Sequence, residues 1–301
     1  MSVTASAPGK IVLAGEYAVL WDAPAISMAV DRRAIATVSS NDKEECVLTT
    51  PGFDGDNHFA IVDAVTDGRR PHCDIRLDTT AFSEDGKKIG IGSSAAVTVA
   101  LAAALRDSTD IGEEAFAAHE RLQGGVGSGV DIASAVHGGL IEYARAGRNV
   151  RSLAWPDGLA FRVVWTGVPA STTARLEKLA SKAKKASRSA LLLAAPKMRD
   201  AWSSGEVDFI LAEYVNYIGV LRQFSVDHDL GIFDAGHDEL TDAAMMDGLV
   251  YKPAGAGGGD IGILFGHDDA ELEAFLERRC ALVHGVLSCR LDPSGVRLEQ
   301  R

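Results

Sequence analysis

GIGSSAAV, residues 90–97, runs without a break into TVALAAALR at 98–106. The second piece has the small, apolar composition of a buried helix. The first has what a helix start needs: glycines without Cβ atoms, and hydroxyls where the first N–H groups lack partners. Such a turn makes an anion cradle, because open N–H groups and the positive end of the helix dipole point the same way. Lys87 and Lys88, just before it, would add full positive charge. Ser is also an ordinary N-cap and Gly an ordinary turn residue, so this stretch alone leaves a plain helix start open.

Composition limits what such a cradle serves. With 301 residues, 47% of them hydrophobic, the chain is long enough for one large or two medium globular domains. A formal charge of −12 gives a surface that repels nucleic acid and anionic lipid, so neither is expected as a partner and any anion site is a local exception. No apolar run approaches a membrane span. Cys46, Cys73, Cys280 and Cys289 are scattered without metal-ligand spacing, and no cleavable signal is recognised. Idle thiols in a reducing cytoplasm are the expectation.

Before the cradle, SVTASAPGKIVLAGEYAVLWDAPAISMAVDRRAIATVSS at 2–40 is rich in β-branched residues broken at Pro8-Gly9, Gly15 and Asp22-Ala23-Pro24, which predicts short strands joined by turns. Lys10 follows the Pro-Gly pair and precedes Ile11-Val12-Leu13, so its ammonium would emerge at a strand mouth or simply point to water. Tyr17, with Glu16, falls in the next turn and would line the same mouth. Strands are expected at 46–50 and 74–78. After the cradle helix, 113–123 reads as a second helix with an acidic first turn. Gly124-Gly125-Val126-Gly127-Ser128-Gly129, with four glycines in six residues, suggests that the backbone approaches something closely. Asp131 opens a third short helix, as a site residue or as an ordinary dipole partner.

Beyond a boundary near 145–160 the pattern changes. Strand 161–166, a long helical region 173–223 broken near Pro196 and Gly205, strands 249–253 and 260–265, helix 268–283 and strand 286–291 give β-α-β-β-α-β order. That order predicts an antiparallel sheet with helices on one face. Between its middle strands lies Lys252-Pro253-Ala254-Gly255-Ala256-Gly257-Gly258-Gly259-Asp260, denser in glycine than a plain hairpin requires. Arg175, Lys178, Lys182, Lys184, Lys185 and Arg188 make a basic helix, a solvated face or an attractor of phosphates toward a cleft.

Three separated stretches in order, APGKIVLAGEYAVL, GIGSSAAV and KPAGAGGGDIGILF, resemble the three signature motifs of the GHMP kinases. The resemblance covers essentially the whole chain. LQGGVGSGVD ending at Asp131, WTGVPASTTARLEKL at 165–179, Lys88 and the closing Asp260 are similar to the phosphomevalonate kinases within that superfamily. Mevalonate kinases usually carry a His where Tyr17 stands and a Pro-rich lead into the second motif, and this chain has neither. Glu120, however, lies eleven residues before Asp131, as does the magnesium-binding Glu of mevalonate kinases.

The resemblance implies an α+β, two-domain GHMP kinase fold. Residues 1–155 would form an ATP-binding domain like domain 2 of ribosomal protein S5, and 156–301 a ferredoxin-like domain. Gly90, Ile91, Gly92, Ser93, Ser94 and Ala95 would hold ATP, and Ser94 with Glu120 would hold Mg2+. Lys10, Asp131 and Lys88 would be catalytic. Tyr17, Ser128, Gly129, Ser171, Thr172, Lys252, Gly255, Ala256 and Gly257 would bind the acceptor, with Ser171 and Thr172 either gripping its phosphate or capping a helix. The implied partners are ATP and a phosphorylated mevalonate-type acceptor, on a monomer or homodimer. A mevalonate kinase and a catalytically silent binder of the same fold are the competing readings. A related decarboxylase fits poorly, since those relatives generally lack the lysine found here as Lys10.

Overall fold

The computed structural model describes residues 2–52, 59–125, 127–181 and 186–299. Lys182, Lys184 and Lys185 of the expected basic helix, and Val126 of the glycine run, lie outside them. The first half contains strands β1 (Ser2–Ala14), β2 (Ala25–Ser40) and β3 (Val47–Thr49), helix α1 (Ala60–Thr66), strands β4 (Cys73–Asp78), β5 (Ser83–Glu84) and β6 (Lys87–Lys88), helices α2 (Ser93–Arg106), α3 (Gly112–Leu122) and α4 (Val130–His137), and strands β7 (Leu140–Ala144) and β8 (Asn149–Leu153). The second contains β9 (Ala160–Trp165), helices α5 (Thr172–Ser181), α6 (Ala186–Ser204), α7 (Val207–His228) and α8 (His237–Met246), strands β10 (Val250–Pro253) and β11 (Ile261–Gly266), α9 (Asp269–Arg278), β12 (Gly285–Leu287) and β13 (Arg297–Leu298).

Pro8-Gly9 is not the expected turn. β1 runs straight through it as a bulge: Pro8 pairs with Arg33 but Gly9 with Val30, so β2 carries two extra residues there. A Cβ on Gly9 would lie 2.8 Å from the Ile91 carbonyl, which explains the glycine. The bulge is where the 90–95 loop docks. α2 lies over β1 and β2, and Ala95 to Ala104 are all buried. Its alanines let a helix that is apolar on every side sit close to the sheet.

The second sheet has order β10-β11-β9-β12 and is antiparallel throughout, the split βαβ arrangement predicted from sequence. Its side chains alternate cleanly. Val164, Tyr251 and Leu264 meet Leu240 and Ala244 of α8 and Leu272 and Phe275 of α9, whereas Val163, Val250, Ile263 and Phe265 face the opposite way into the main core. That opposite face is covered by α6 and α7, with Trp202 and Tyr214 against Phe265. The expectation of helices on one face is therefore corrected: α6 and α7 wedge between the two sheets. Pro196 does not break the chain as expected but lies inside α6, where Ala194, Ala195 and Met198 are buried around it. Gly205 does separate α6 from α7, with φ 73°.

The 156–301 half is not self-contained. β13 pairs with β1, Leu291 bridges Val30, and Arg33 pairs with Asp292 at 2.6 Å, so the last residues belong with the first sheet. Among the described residues no helix is long and apolar enough to cross a membrane.

Candidate active site

The bulge delivers Lys10 to the cradle. Its N–H donates to the Ile91 carbonyl at 2.8 Å, and a Cβ on Gly92 would lie 3.1 Å from Lys10 Cε, so the lysine side chain runs alongside the loop. Gly92, with φ 84°, is the N-cap of α2 and supplies no side-chain cap. The first intrahelical bond is Ala96 N–H to the Gly92 carbonyl. The amides of Ser93, Ser94 and Ala95 precede it at an N-terminus with the dipole's positive end, which is the backbone geometry an anion cradle requires. Ser94 is exposed beside it and Ser93 half-buried.

Asp131 meets Lys10 from the other side. Gly129, with φ 81°, starts α4, and a Cβ there would lie 2.7 Å from the Tyr143 hydroxyl. That hydroxyl donates to the Ser128 carbonyl at 3.0 Å, while Ser128 Oγ accepts from Val130 N–H at 3.4 Å. The helix start is thus pinned, and Lys10 Nζ lies 3.2 Å from Asp131 Oδ1. His119 of α3 faces this pair. Burial lowers its pKa, against the pull of Asp131, so the imidazole is held toward its neutral form.

These groups open on a cavity of about 110 Å3. Val12, Val19, Leu20 and Leu176 give it an apolar wall, and Lys10, Asp131, His119, Gln123, Tyr17 and Thr172 a polar one. Glu16, Gly127, Ser128, Gly129, Val130, Gly255 and Ala256 also line it. Tyr17 donates to the Ala256 carbonyl at 2.6 Å, which locks the third glycine loop to the first motif. Burial raises the Tyr17 pKa, so the phenol stays a donor. A larger open groove of about 900 Å3 beside β9 and residues 286–291 contains none of the sequence-predicted residues.

Four expectations are amended. Lys252 is fully buried and cannot touch an acceptor; its ammonium pairs with Glu16 Oε1 at 2.5 Å, and Tyr217 donates to Glu16 Oε2 at 3.1 Å. Glu120 does not line this cavity but an adjoining one of about 110 Å3, which shares His119, Gln123, Ser128 and Gly129 with it; Arg148 holds the Glu120 carboxylate at 2.8 Å. Gly257 packs away from the cavity, where a Cβ would lie 2.5 Å from the Ile232 carbonyl. Ser171 and Thr172 do not act alike: Ser171 Oγ accepts from Ala174 N–H at 3.3 Å as a cap, and Thr172 lines the cavity. Lys88 is exposed on the β5–β6 hairpin, and its charge acts on Asp260.

His119, Gln123 and His237 were not singled out from sequence. His119 and Gln123 lie four residues apart, on one helical face with Ala115, and that spacing is the signal that would have found them. His237 is fully buried, with Nδ1 at 2.8 Å from the Tyr251 hydroxyl and Nε2 at 3.0 Å from the Gly259 carbonyl. A carbonyl only accepts, so Nε2 carries the proton and Nδ1 accepts from Tyr251. Arg175 donates to the carbonyls of Leu230 at 3.1 Å and Gly258 at 3.2 Å, bracing the same loop.

Residues 60–139 match the family described as GHMP kinases N terminal domain. Over 97% of each chain, the protein is 30% identical to a phosphomevalonate kinase from a Streptomyces species. Over 50% of this chain and 53% of the other, it is 36% identical to a mevalonate kinase from Methanothermobacter thermautotrophicus. The solved structure of Streptococcus pneumoniae phosphomevalonate kinase in complex with phosphomevalonate and AMPPNP shares the fold, with TM-score 0.79 and 18% identity over 99% of this chain and 100% of that one. With a near-full-length relative, a matching N-terminal domain and the three motifs converging on one cleft, the chain belongs to the GHMP kinases and is a phosphotransferase of that type.

Proposed function

We propose that this kinase transfers the γ-phosphoryl group of ATP to the phosphate of 5-phosphomevalonate, giving 5-diphosphomevalonate and ADP. The observation that carries the reading is the Lys10–Asp131 pair, 3.2 Å apart, at the junction between the uncapped start of α2 and a small cavity whose far wall includes Thr172 of α5. Gly90 to Ala95 would cradle the ATP phosphates. The apolar wall suits the short branched carbon chain of the acceptor, and Tyr17, Ser128, Gly129, Thr172, Gly255 and Ala256 surround its polar groups. The near-full-length phosphomevalonate kinase relative supports this acceptor.

A phosphomonoester has a second pKa of about 6, so at neutral pH it arrives mostly as a dianion and needs no base. Its oxygen attacks the γ-phosphorus, the bond to the bridging oxygen breaks, and the electron pair leaves on ADP. The difficulty is bringing two polyanions together in a partly dry cleft, where like charges repel by several kcal/mol. Lys10 neutralises charge at the reacting centre, Lys88 adds potential at the rim, and Asp131 holds the Lys10 ammonium in place.

Among the described residues no three His, Cys, Asp or Glu side chains cluster as a metal site. The exposed Ser94 hydroxyl at the cradle fits an Mg2+ ion carried in on the nucleotide's own phosphates, and the ion's contribution when bound is charge neutralisation. Glu120 is engaged by Arg148 and would have to leave that pair to take the role.

Release of ADP with mevalonate, 5-phosphomevalonate, homoserine and galactose tests the proposal. Turnover on 5-phosphomevalonate is expected; turnover on mevalonate alone would assign a hydroxyl acceptor, and none on any would favour a silent binder.

A further inference from the structure

Asp260 closes the third glycine loop without lining the cavity, yet it touches both half-sites. On one side a Cβ on Gly90 would collide with the Asp260 carboxyl, so the nucleotide loop rests directly against it. On the other, Asp260 Oδ1 accepts from Ala170 N–H at 3.0 Å, and Asp260 N–H donates to the Val168 carbonyl at 2.7 Å. Its carbonyl accepts from Thr166 N–H at 3.0 Å and from Thr166 Oγ1 at 3.1 Å. Segment 166–170, which leads straight into Ser171 and Thr172, is therefore fastened to Asp260 by four bonds.

The backbone at Asp260 is strained to achieve this, with φ 53° at a residue that is not glycine. The preceding Gly259 is compressed as well, since a Cβ there would lie 2.6 Å from the Val168 carbonyl. The loop is held from behind by His237 on Gly259 and Arg175 on Gly258, so it cannot yield away from the cleft. The contact at Gly90 and the bond from Ala170 N–H thus place the Asp260 carboxyl between the nucleotide loop and the amide entering α5.

We propose that Asp260 is a positioning residue that couples the nucleotide loop to the acceptor end of the cavity, so that each substrate tightens binding of the other. The inference rests on the assignment of half-sites made above. By linkage the coupling is reciprocal, and its usual range is roughly 5- to 150-fold.

The test is calorimetric titration of AMPPNP with and without saturating 5-phosphomevalonate, or with whichever panel acceptor the chain turns over. In the parent the acceptor is expected to tighten AMPPNP by roughly fivefold or more. Asp260→Ala is expected to bring that ratio to about one, and Asp260→Asn, which keeps an oxygen for Ala170, to preserve it. Ala170→Pro deletes the donated N–H while leaving Asp260 in place, and is expected to match the alanine variant. It decides the matter should Asp260→Ala fail to unfold cooperatively. In steady state, the KM for each substrate depends on the other in the parent and loses that dependence in Asp260→Ala. No coupling in the parent, or parent-like coupling in both Asp260→Ala and Ala170→Pro, overturns the inference. Turnover on a different acceptor overturns the proposed substrate and leaves the coupling measurement standing.

Discussion

Lys10 Nζ and Asp131 Oδ1 face each other at 3.2 Å, with the lysine side chain 12% exposed and the aspartate 28%. The aspartate that would serve as base for a hydroxyl acceptor is thus already engaged with the lysine proposed to neutralise charge at the reacting centre. On a phosphate acceptor, Lys10→Met is expected to lower kcat by roughly 10²- to 10³-fold, the usual cost of removing one group that stabilises transition-state charge. Asp131→Asn, which keeps an oxygen for Lys10, is expected to cost about tenfold or less. Equal losses in single-turnover measurements would establish obligatory base catalysis instead.

Glu16 and Lys252 bury a full ion pair beside the cavity, with the Tyr217 hydroxyl on the second carboxylate oxygen. Removing one charge strands the other. Lys252→Met is expected to destabilise the fold by roughly 3–5 kcal/mol, and the double variant Lys252→Met, Glu16→Gln to recover much of that loss. Denaturant unfolding of the parent, single and double variants measures both values. A single variant as stable as the parent would remove the pair from the structural account.

Glu120 is 58% exposed and paired with Arg148, outside the cavity. Glu120→Gln is therefore expected to leave kcat and the Mg2+ dependence of turnover within about twofold of the parent, with a stability change under about 1 kcal/mol. A large rise in the Mg2+ concentration needed for half-maximal rate would restore this residue as a metal ligand.

The contrast between Glu120 and His119 shows what one sequence makes legible. Ordered motifs with special backbone needs were readable: Gly92 at the start of α2, Gly129 at the start of α4, and the βαββαβ order of the second half all lie where the pattern put them. Their signal is local, since positive φ and period-two alternation depend on neighbours in the chain. What pointed where was not local. The resemblance makes Lys252 an acceptor contact, but Glu16, far away in sequence, pairs with it in the interior. Pro8-Gly9 has turn composition, yet the Ile91 carbonyl makes it a bulge inside a 13-residue strand. The placement of α6 and α7 between the sheets likewise depends on contacts across the whole fold.

Ser171 and Thr172 are adjacent but separable. Ser171→Ala removes the bond to Ala174 N–H and is expected to cost about 1 kcal/mol of stability with little change in either KM. Thr172→Ala is expected to raise the KM for the phosphorylated acceptor several-fold more than the KM for ATP. Equal rises for both substrates would make Thr172 a structural residue at the start of α5.

His237 links pH to the integrity of the third glycine loop. Burial pushes its pKa down to about 4, because a charged imidazole could not be solvated there and would lose the bond it accepts from Tyr251. The unfolded chain protonates this residue near pH 6.5, whereas the folded one resists until about pH 4. Between those values the unfolded state binds more protons, so stability falls as pH falls through the window and levels off below it. The shift corresponds to roughly 3 kcal/mol across the window. His119 and His137 are also lowered by burial and act in the same direction, while Asp208 raises His267 and opposes them. His237→Gln leaves those three in place, so the difference between its unfolding free energy and the parent's isolates this one imidazole. The gap is expected to narrow steadily from pH 6.5 to pH 4, and parallel curves would show that His237 is not held neutral in the folded protein.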